Sequence, residues 1–410
     1  MLAQDVAKHK GITADRAYTC FVGLYPILNR YASPLPMLSL SEFIVILFLA
    51  WGLARYKERS GVVPVAMLMF MLYLVFHVML DLISVDSLYL ADSIGTTLRL
   101  LFIYAALVLI SRPLFLPSYA ERIFPAFGTA IAAYGFLQIV AAQASIVLPS
   151  YIPGLPVMGS LDVDQAIEQR LDYGFRFRCQ SLLNEPAALA IYLAVPIVMC
   201  LFPRDRAHER YGFAGAMSAV ACLSQSSTGI IIVGFIWVVK LITWIHSKHF
   251  DARYLVLVLL MAVVVGYVLL IPTGVLDTFV QHTFSRYGSF GLFQNSRFNE
   301  IGMAFSESDS IPNIVFGVGL HSTEFYLPGF ARAYYCLGII GLLLICSFLL
   351  VLLRNASSQN KAIVATFIVL NFGSEILFGN FVIYFLSTCM ADMQSQDLKI
   401  SHPEDERSSM

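Results

Sequence analysis

Arg170, Arg176 and Arg178 lie just ahead of an apolar run that opens with Glu185-Pro186, and Arg286, Arg297, Glu300, His321 and Glu324 share a later polar stretch. Arginine suits phosphate at a membrane surface, because its planar fork donates parallel hydrogen bonds and keeps its proton. Arg178 and Arg297 are therefore the leading candidates for binding phosphate. Arg170, Arg176, Arg286, Glu300 and Glu324 are candidate substrate contacts. A carboxylate such as Glu185, or an imidazole such as His321, can accept the proton of an attacking hydroxyl near neutral pH. Each residue also has a plainer reading. The arginines can pair with Asp162, Asp164, Glu168, Asp172, Glu300 and Glu307 as loop salt bridges, Glu185 can serve the positive end of a helix begun by Pro186, and a lone histidine can simply be hydrogen-bonded.

The elements that must hold these residues are set by composition. The 410 residues are 58% hydrophobic and only 13% charged, with a mean hydropathy of +0.74, against about a quarter charged in soluble domains. An all-α polytopic membrane protein is expected. A net charge of −1 without runs of like charge gives no footing for nucleic acid. Apolar runs of spanning length fall near 17–33, 38–55, 62–84, 95–115, 122–146, 183–202, 211–226, 228–247, 253–273, 329–353 and 361–389. That is eleven transmembrane helices. Gly373, Ser374, Glu375, Gly379 and Asn380 interrupt the last run, so two broken helices and twelve spans are the alternative. Within the spans, His77, Asp81 and Arg99 are polar groups expected to pair between helices.

Lys8, Lys10, Lys57, Lys240, Lys248 and Lys361 mark alternate connections, which the positive-inside rule assigns to the cytoplasm together with the N-terminus. The first helix is expected to remain uncleaved. The two longest connections, 147–182 and 274–328, contain no lysine and are expected to face outward, whereas Lys399 favours the twelve-span count. Both loops are rich in aromatics and glycine, and short helices are expected near Asp162–Leu171 and in SRFNEIGMAF. Gly317-Val318-Gly319 suggests a turn whose backbone approaches a neighbour closely. The seven cysteines show no paired or metal-ligand spacing. There is no HExxH or P-loop, and Asp162-Val163-Asp164 reads as an acidic turn. No metal or cofactor is expected.

In order along the chain, FRFRCQSLLNEPAALAIYLAVPIVMCLF, LSQSSTGIIIVGFIW, SRFNEIGMAF and FGVGLHSTEFYLPGFARAYYCLGIIGLLL resemble the O-antigen polymerase and ligase family. The likeness rests on Arg178, Asn184, Glu185, Pro186, Ser224–Ser227, Ser296, Arg297, Gly317, Gly319, Gly338 and Gly341, in order over more than half of the chain. It implies a bacterial inner-membrane, GT-C-like glycosyltransferase with two large periplasmic loops. Such a Wzy-type polymerase moves a growing glycan from undecaprenyl diphosphate to the next carrier-linked repeat unit, without metal or nucleotide. Arg178 and Arg297 would hold the diphosphate, Glu185 or His321 would take the proton, and a chain-length regulator would be a candidate partner. The ligase branch has His-Asn at a position that is Leu327 here, which favours polymerase over ligase. A flippase for polyprenyl-linked sugars is the alternative from another class, although paired repeats with midplane charges would suit it better. On this topology, alkaline phosphatase fused within 274–328 is expected to be active, and the same reporter fused after Arg210 inactive.

Overall fold

The computed structural model describes residues 2–35, 38–56, 64–84, 87–158, 178–204, 209–224, 226–247, 296–307, 310–320, 325–354 and 356–401. Among these the chain is helical, with isolated bridges at Tyr31–Val157 and Ala32–Ser39 but no strand. The helices are α1 (Leu2–Leu28), α2 (Leu40–Tyr56), α3 (Val65–Ser84) and α4 (Ser87–Ala106), which continues through a π-helical turn at Leu107–Ser111 to Leu114. They are followed by α5 (Pro117–Gln143), α6 (Pro186–Leu201), α7 (Tyr211–Leu223), α8 (Ser227–Ser247), α9 (Ser296–Glu307) and α10 (Ile311–Phe316). The last three are α11 (Gly329–Arg354), α12 (Ser358–Leu370) and α13 (Phe381–Ser401). Among the described residues five segments are long and apolar enough to cross a membrane: Val65–Ile83, Tyr89–Leu114, Pro117–Gln143, Ser227–Ser247 and Gly329–Arg354. The chain is a helical, multi-pass membrane protein. The expected run 253–273 and the short helix near Asp162–Leu171 lie outside the described residues. SRFNEIGMAF does form a helix, α9, and the interrupted run 361–389 is two helices separated by turns.

The centre of the bundle is α6, which is buried from Ala188 to Leu201 and packs against α5, α7, α8 and α12. Small residues permit this crowding. A Cβ added at Gly128 of α5 would lie 2.6 Å from Pro196, and one at Gly229 of α8 would lie 2.9 Å from Ala190. Without water, close packing and satisfied polar groups replace the usual hydrophobic drive between helices. Tyr192 of α6 stacks on Tyr384 of α13 at 5.1 Å, and Tyr384 stacks on Phe124 of α5 at 5.5 Å. Both phenols donate to carbonyls at 2.9 Å, Tyr192 to Gly23 and Tyr384 to Tyr192.

The expected close approach at Gly317 is made to α11. That helix breaks at Gly338, where φ is 65° and ψ is −172°; Gly317 has φ 83° and ψ 179°. Both conformations belong essentially to glycine. The break frees carbonyls that the Gly317 turn then meets: Val318 N donates to Tyr335 O at 3.0 Å and Gly319 N to Cys336 O at 3.1 Å. Tyr73 of α3 donates to Leu337 O at 2.7 Å. His77 of α3 places Nε2 2.8 Å from Phe316 O and Nδ1 3.2 Å from Asp81, which in turn accepts from Ser93 of α4 at 2.7 Å. His77 and Asp81 are thus an interhelical brace, 2% exposed each. A Cβ at Gly317 would sit 2.2 Å from Cys336 O, and one at Gly338 2.3 Å from Val315 O. Gly317→Ala and Gly338→Ala are each expected to cost about 2–5 kcal/mol. The double variant should lose less than the sum because both disrupt one contact. Thermal unfolding of the detergent-solubilised protein measures this.

Candidate functional site

The segment 178–185 joins the first polar stretch to α6 and is fastened at several points. Cys179, Gln180, Ser181 and Leu183 are buried. Ser181, at φ 52°, donates its N–H to Gln138 Oε1 of α5 at 2.8 Å and its hydroxyl to Ile131 O at 2.8 Å. Gln138 Nε2 returns hydrogen bonds to Ser181 O at 3.3 Å and Pro149 O at 3.2 Å. Arg30, just past α1, donates from Nη1 to Ser150 O at 2.6 Å and to Leu183 O at 2.9 Å. One guanidinium therefore ties both flanks of the first polar stretch to the bundle.

Above this fastening stand Arg178, partly buried, and Glu185, exposed. Glu185 occupies the N-cap of α6 with extended backbone, and Pro186 takes the first helical position. Its side chain makes no cap hydrogen bond, so the plain capping reading is met by position alone and the carboxylate is left facing outward. Burial pushes the Cys179 thiol up to about 12. It therefore stays protonated at neutral pH, inert beside Arg178.

The second polar stretch meets the same end of the bundle. Tyr192 joins Tyr384 near the starts of α6 and α13, while Arg204 beyond α6 pairs with Asp392 far along α13 at 2.8 Å. The two helices therefore run the same way, and Glu185 shares an end with the turns 371–380. There Gly329 N donates to Ser374 O at 3.1 Å and Phe330 N to Asn371 O at 3.2 Å, docking the start of α11. Arg332 of α11 pairs with Glu375 and lies 5.4 Å from the Phe378 ring. α9 leans on α11 through Phe305 and Tyr334, 5.1 Å apart. Glu300 of α9 accepts from Tyr326 N at 2.7 Å, so it fastens the loop. Arg297 is placed one turn earlier on α9, and its side chain is outside the described atoms. Arg170, Arg176, Arg286, His321 and Glu324 lie outside the described residues. Arg99 pairs not with His77 and Asp81 but with Glu42 of α2.

Sequence reasoning missed Arg30, Gln138, Arg332 and Glu42. Only weak signals marked them: an arginine at the end of an apolar run, a glutamine within one, and a glutamate at the start of another. Among the described residues no group of three His, Cys, Asp or Glu side chains could hold a metal. The arrangement offers an exposed carboxylate at the start of a buried helix, with Arg178 earlier on the same fastened segment, groups whose chemistry suits receiving a proton and binding an anion. No protein-family model and no curated protein matches the chain. Arg30→Met is expected to cost about 2–4 kcal/mol, since hydrogen bonds from a charged group are each worth about 1.5–3 kcal/mol. Cys179, unreactive to a maleimide at pH 8 in the native protein, should become labelled in this variant, as read by intact mass.

Proposed function

We propose that the chain is a polysaccharide polymerase of the bacterial inner membrane, a metal-independent integral-membrane glycosyltransferase of GT-C-like architecture with its N-terminus in the cytoplasm. Its donor is a glycan on undecaprenyl diphosphate, and its acceptor is the next carrier-linked repeat unit at the periplasmic face. The observation that carries this reading is the exposed Glu185 carboxylate at the start of the buried α6, in a segment held by Arg30 and Gln138 and preceded by Arg178. The resemblance of the ordered motifs to those of O-antigen polymerases suggests the reaction class.

In this scheme the bond between the donor's anomeric carbon and the diphosphate oxygen breaks, and undecaprenyl diphosphate leaves. Arg178, with Arg297, stabilises the charge that develops on the leaving group. An acceptor hydroxyl forms the new glycosidic bond, and its proton passes to Glu185 or His321.

The test is the surface glycan and carrier-linked intermediates of a strain lacking the chain, complemented with variants at matched abundance. Arg178→Ala and Glu185→Gln are each expected to reduce polymer about 100-fold, with single repeat units accumulating. Wild-type ladders from Arg178→Ala would remove the proposal. A carrier-linked ladder that never reaches its final acceptor would make the chain a ligase, and intermediates trapped in the cytoplasm a flippase. Loss in His321→Ala but not in Glu185→Gln would move the base to His321.

A further inference from the structure

The end of α6 opposite Glu185 borders a cavity of about 270 Å³, lined by Ser118, Glu121 and Arg122 of α5, Met199 of α6, and Pro203 and Arg210 on the way to α7. Ser118 and Arg122 stand in the opening turns of α5, whose whole length, Pro117–Gln143, is apolar enough to cross a membrane. Arg210 is fixed through its main chain. Its N–H donates to Cys200 O at 3.0 Å, and its carbonyl accepts from Ala214 N at 3.1 Å. The volume lies just below the range of about 300–1,000 Å³ common to drug-sized sites, which leaves room for a small polar group rather than a long molecule.

Both arginines are exposed, and among the described residues neither guanidinium makes a hydrogen bond or an ion pair. This sets them apart from Arg99, Arg204, Lys240 and Arg332, each of which reaches a carboxylate. The cavity's own carboxylate is engaged elsewhere: Glu121 Oε1 accepts from the Arg204 N–H at 2.6 Å and from Gln359 Nε2 of α12 at 2.9 Å. Two arginines against one glutamate leave the lining residues with positive charge in excess. Each guanidinium also brings five N–H donors in a rigid fork that matches phosphate.

We propose that this cavity binds the phosphate of an anionic phospholipid. Arg122 and Arg210 donate to the phosphodiester from two separate elements, and the Ser118 hydroxyl adds a third donor. Position selects a lipid over a soluble anion. The opening turns of a spanning helix lie at headgroup depth, where basic pockets between helix ends hold anionic headgroups. Tyr211 and Phe213, both exposed, follow Arg210 directly, and aromatic side chains favour the same interface. Charge selects among lipids, because a phosphodiester alone matches the excess on the lining, whereas the amine of a zwitterionic headgroup would meet it with repulsion. The proposal is independent of the reaction at Glu185.

Purified protein is titrated with dioleoyl phosphatidylglycerol in mixed micelles, with dioleoyl phosphatidylcholine as the zwitterionic comparison and glycerol 3-phosphate as the soluble anion. Native mass spectrometry counts the bound lipid, and the unfolding midpoint reports the fold. Wild type should bind phosphatidylglycerol in preference to phosphatidylcholine, and glycerol 3-phosphate should not displace it. Arg122→Gln and Arg210→Gln should each weaken phosphatidylglycerol binding about tenfold. Both should unfold at the wild-type midpoint without lipid, since neither exposed side chain has a partner to lose among the described residues. If either shifts the midpoint, Ser118→Asp takes its place, putting a carboxylate among the phosphate's partners. Arg354→Gln removes another exposed arginine, at the end of α11 and outside the cavity lining, and should bind as wild type. Undiminished binding in a folded cavity variant, equal loss in Arg354→Gln, equal binding of phosphatidylcholine, or displacement by glycerol 3-phosphate would overturn the proposal.

Discussion

Within hydrocarbon every backbone donor and acceptor must find a partner inside the protein, and α11 breaks that rule at Gly338 unless another chain segment repairs it. The repair is the turn Gly317–Gly319, whose N–H groups reach the carbonyls of Tyr335 and Cys336, with the Tyr73 phenol on Leu337. Neither partner is stable alone. A broken helix without the turn exposes carbonyls, and the turn without the break has no room for its backbone. Because α3 supplies Tyr73 and His77, and α4 supports Asp81, four helices depend on this one docking.

The same economy shapes the site. α6 has no solvent-facing side along Ala188–Leu201, so its orientation is determined by packing and its first residue becomes a fixed point. Glu185 stands there, and Arg30 and Gln138 hold the approach to it through main-chain carbonyls and one amide N–H. Main-chain anchoring leaves the exposed Glu185 carboxylate available for other work. At the far end, Arg204 bridges to Asp392 and its N–H meets Glu121, so the bundle is closed by ionic groups where it is not closed by aromatics.

Much of the helical layout was legible because period and length carry it. The polar interruption at Gly373–Asn380 marked the division between α12 and α13, and SRFNEIGMAF marked α9. Gly317 and Gly319 advertised a close approach, but only the fold names its partner, because nothing in sequence says that α11 opens 21 residues later, at Gly338. The pairing of Arg99 was read wrongly for a similar reason. His77 and Asp81 are neighbours by helical spacing, whereas Glu42 reaches Arg99 only through the packing of α2 on α4. Arg30 was invisible as an anchor because its partners are carbonyls, which every residue has.

Fastening by Arg30 has a consequence for how such a chain can vary. With Ser150 and Leu183 held by the same side chain, the intervening residues form a ring closed upon the bundle. Closing a longer ring costs only about 0.6 kcal/mol per doubling of its length. Outside the fastened residues Pro156–Met158 and Arg178–Leu183, the sequence between those two points can therefore be lengthened, shortened or rewritten as a cassette, altering what the outer surface meets while the helices beneath remain untouched.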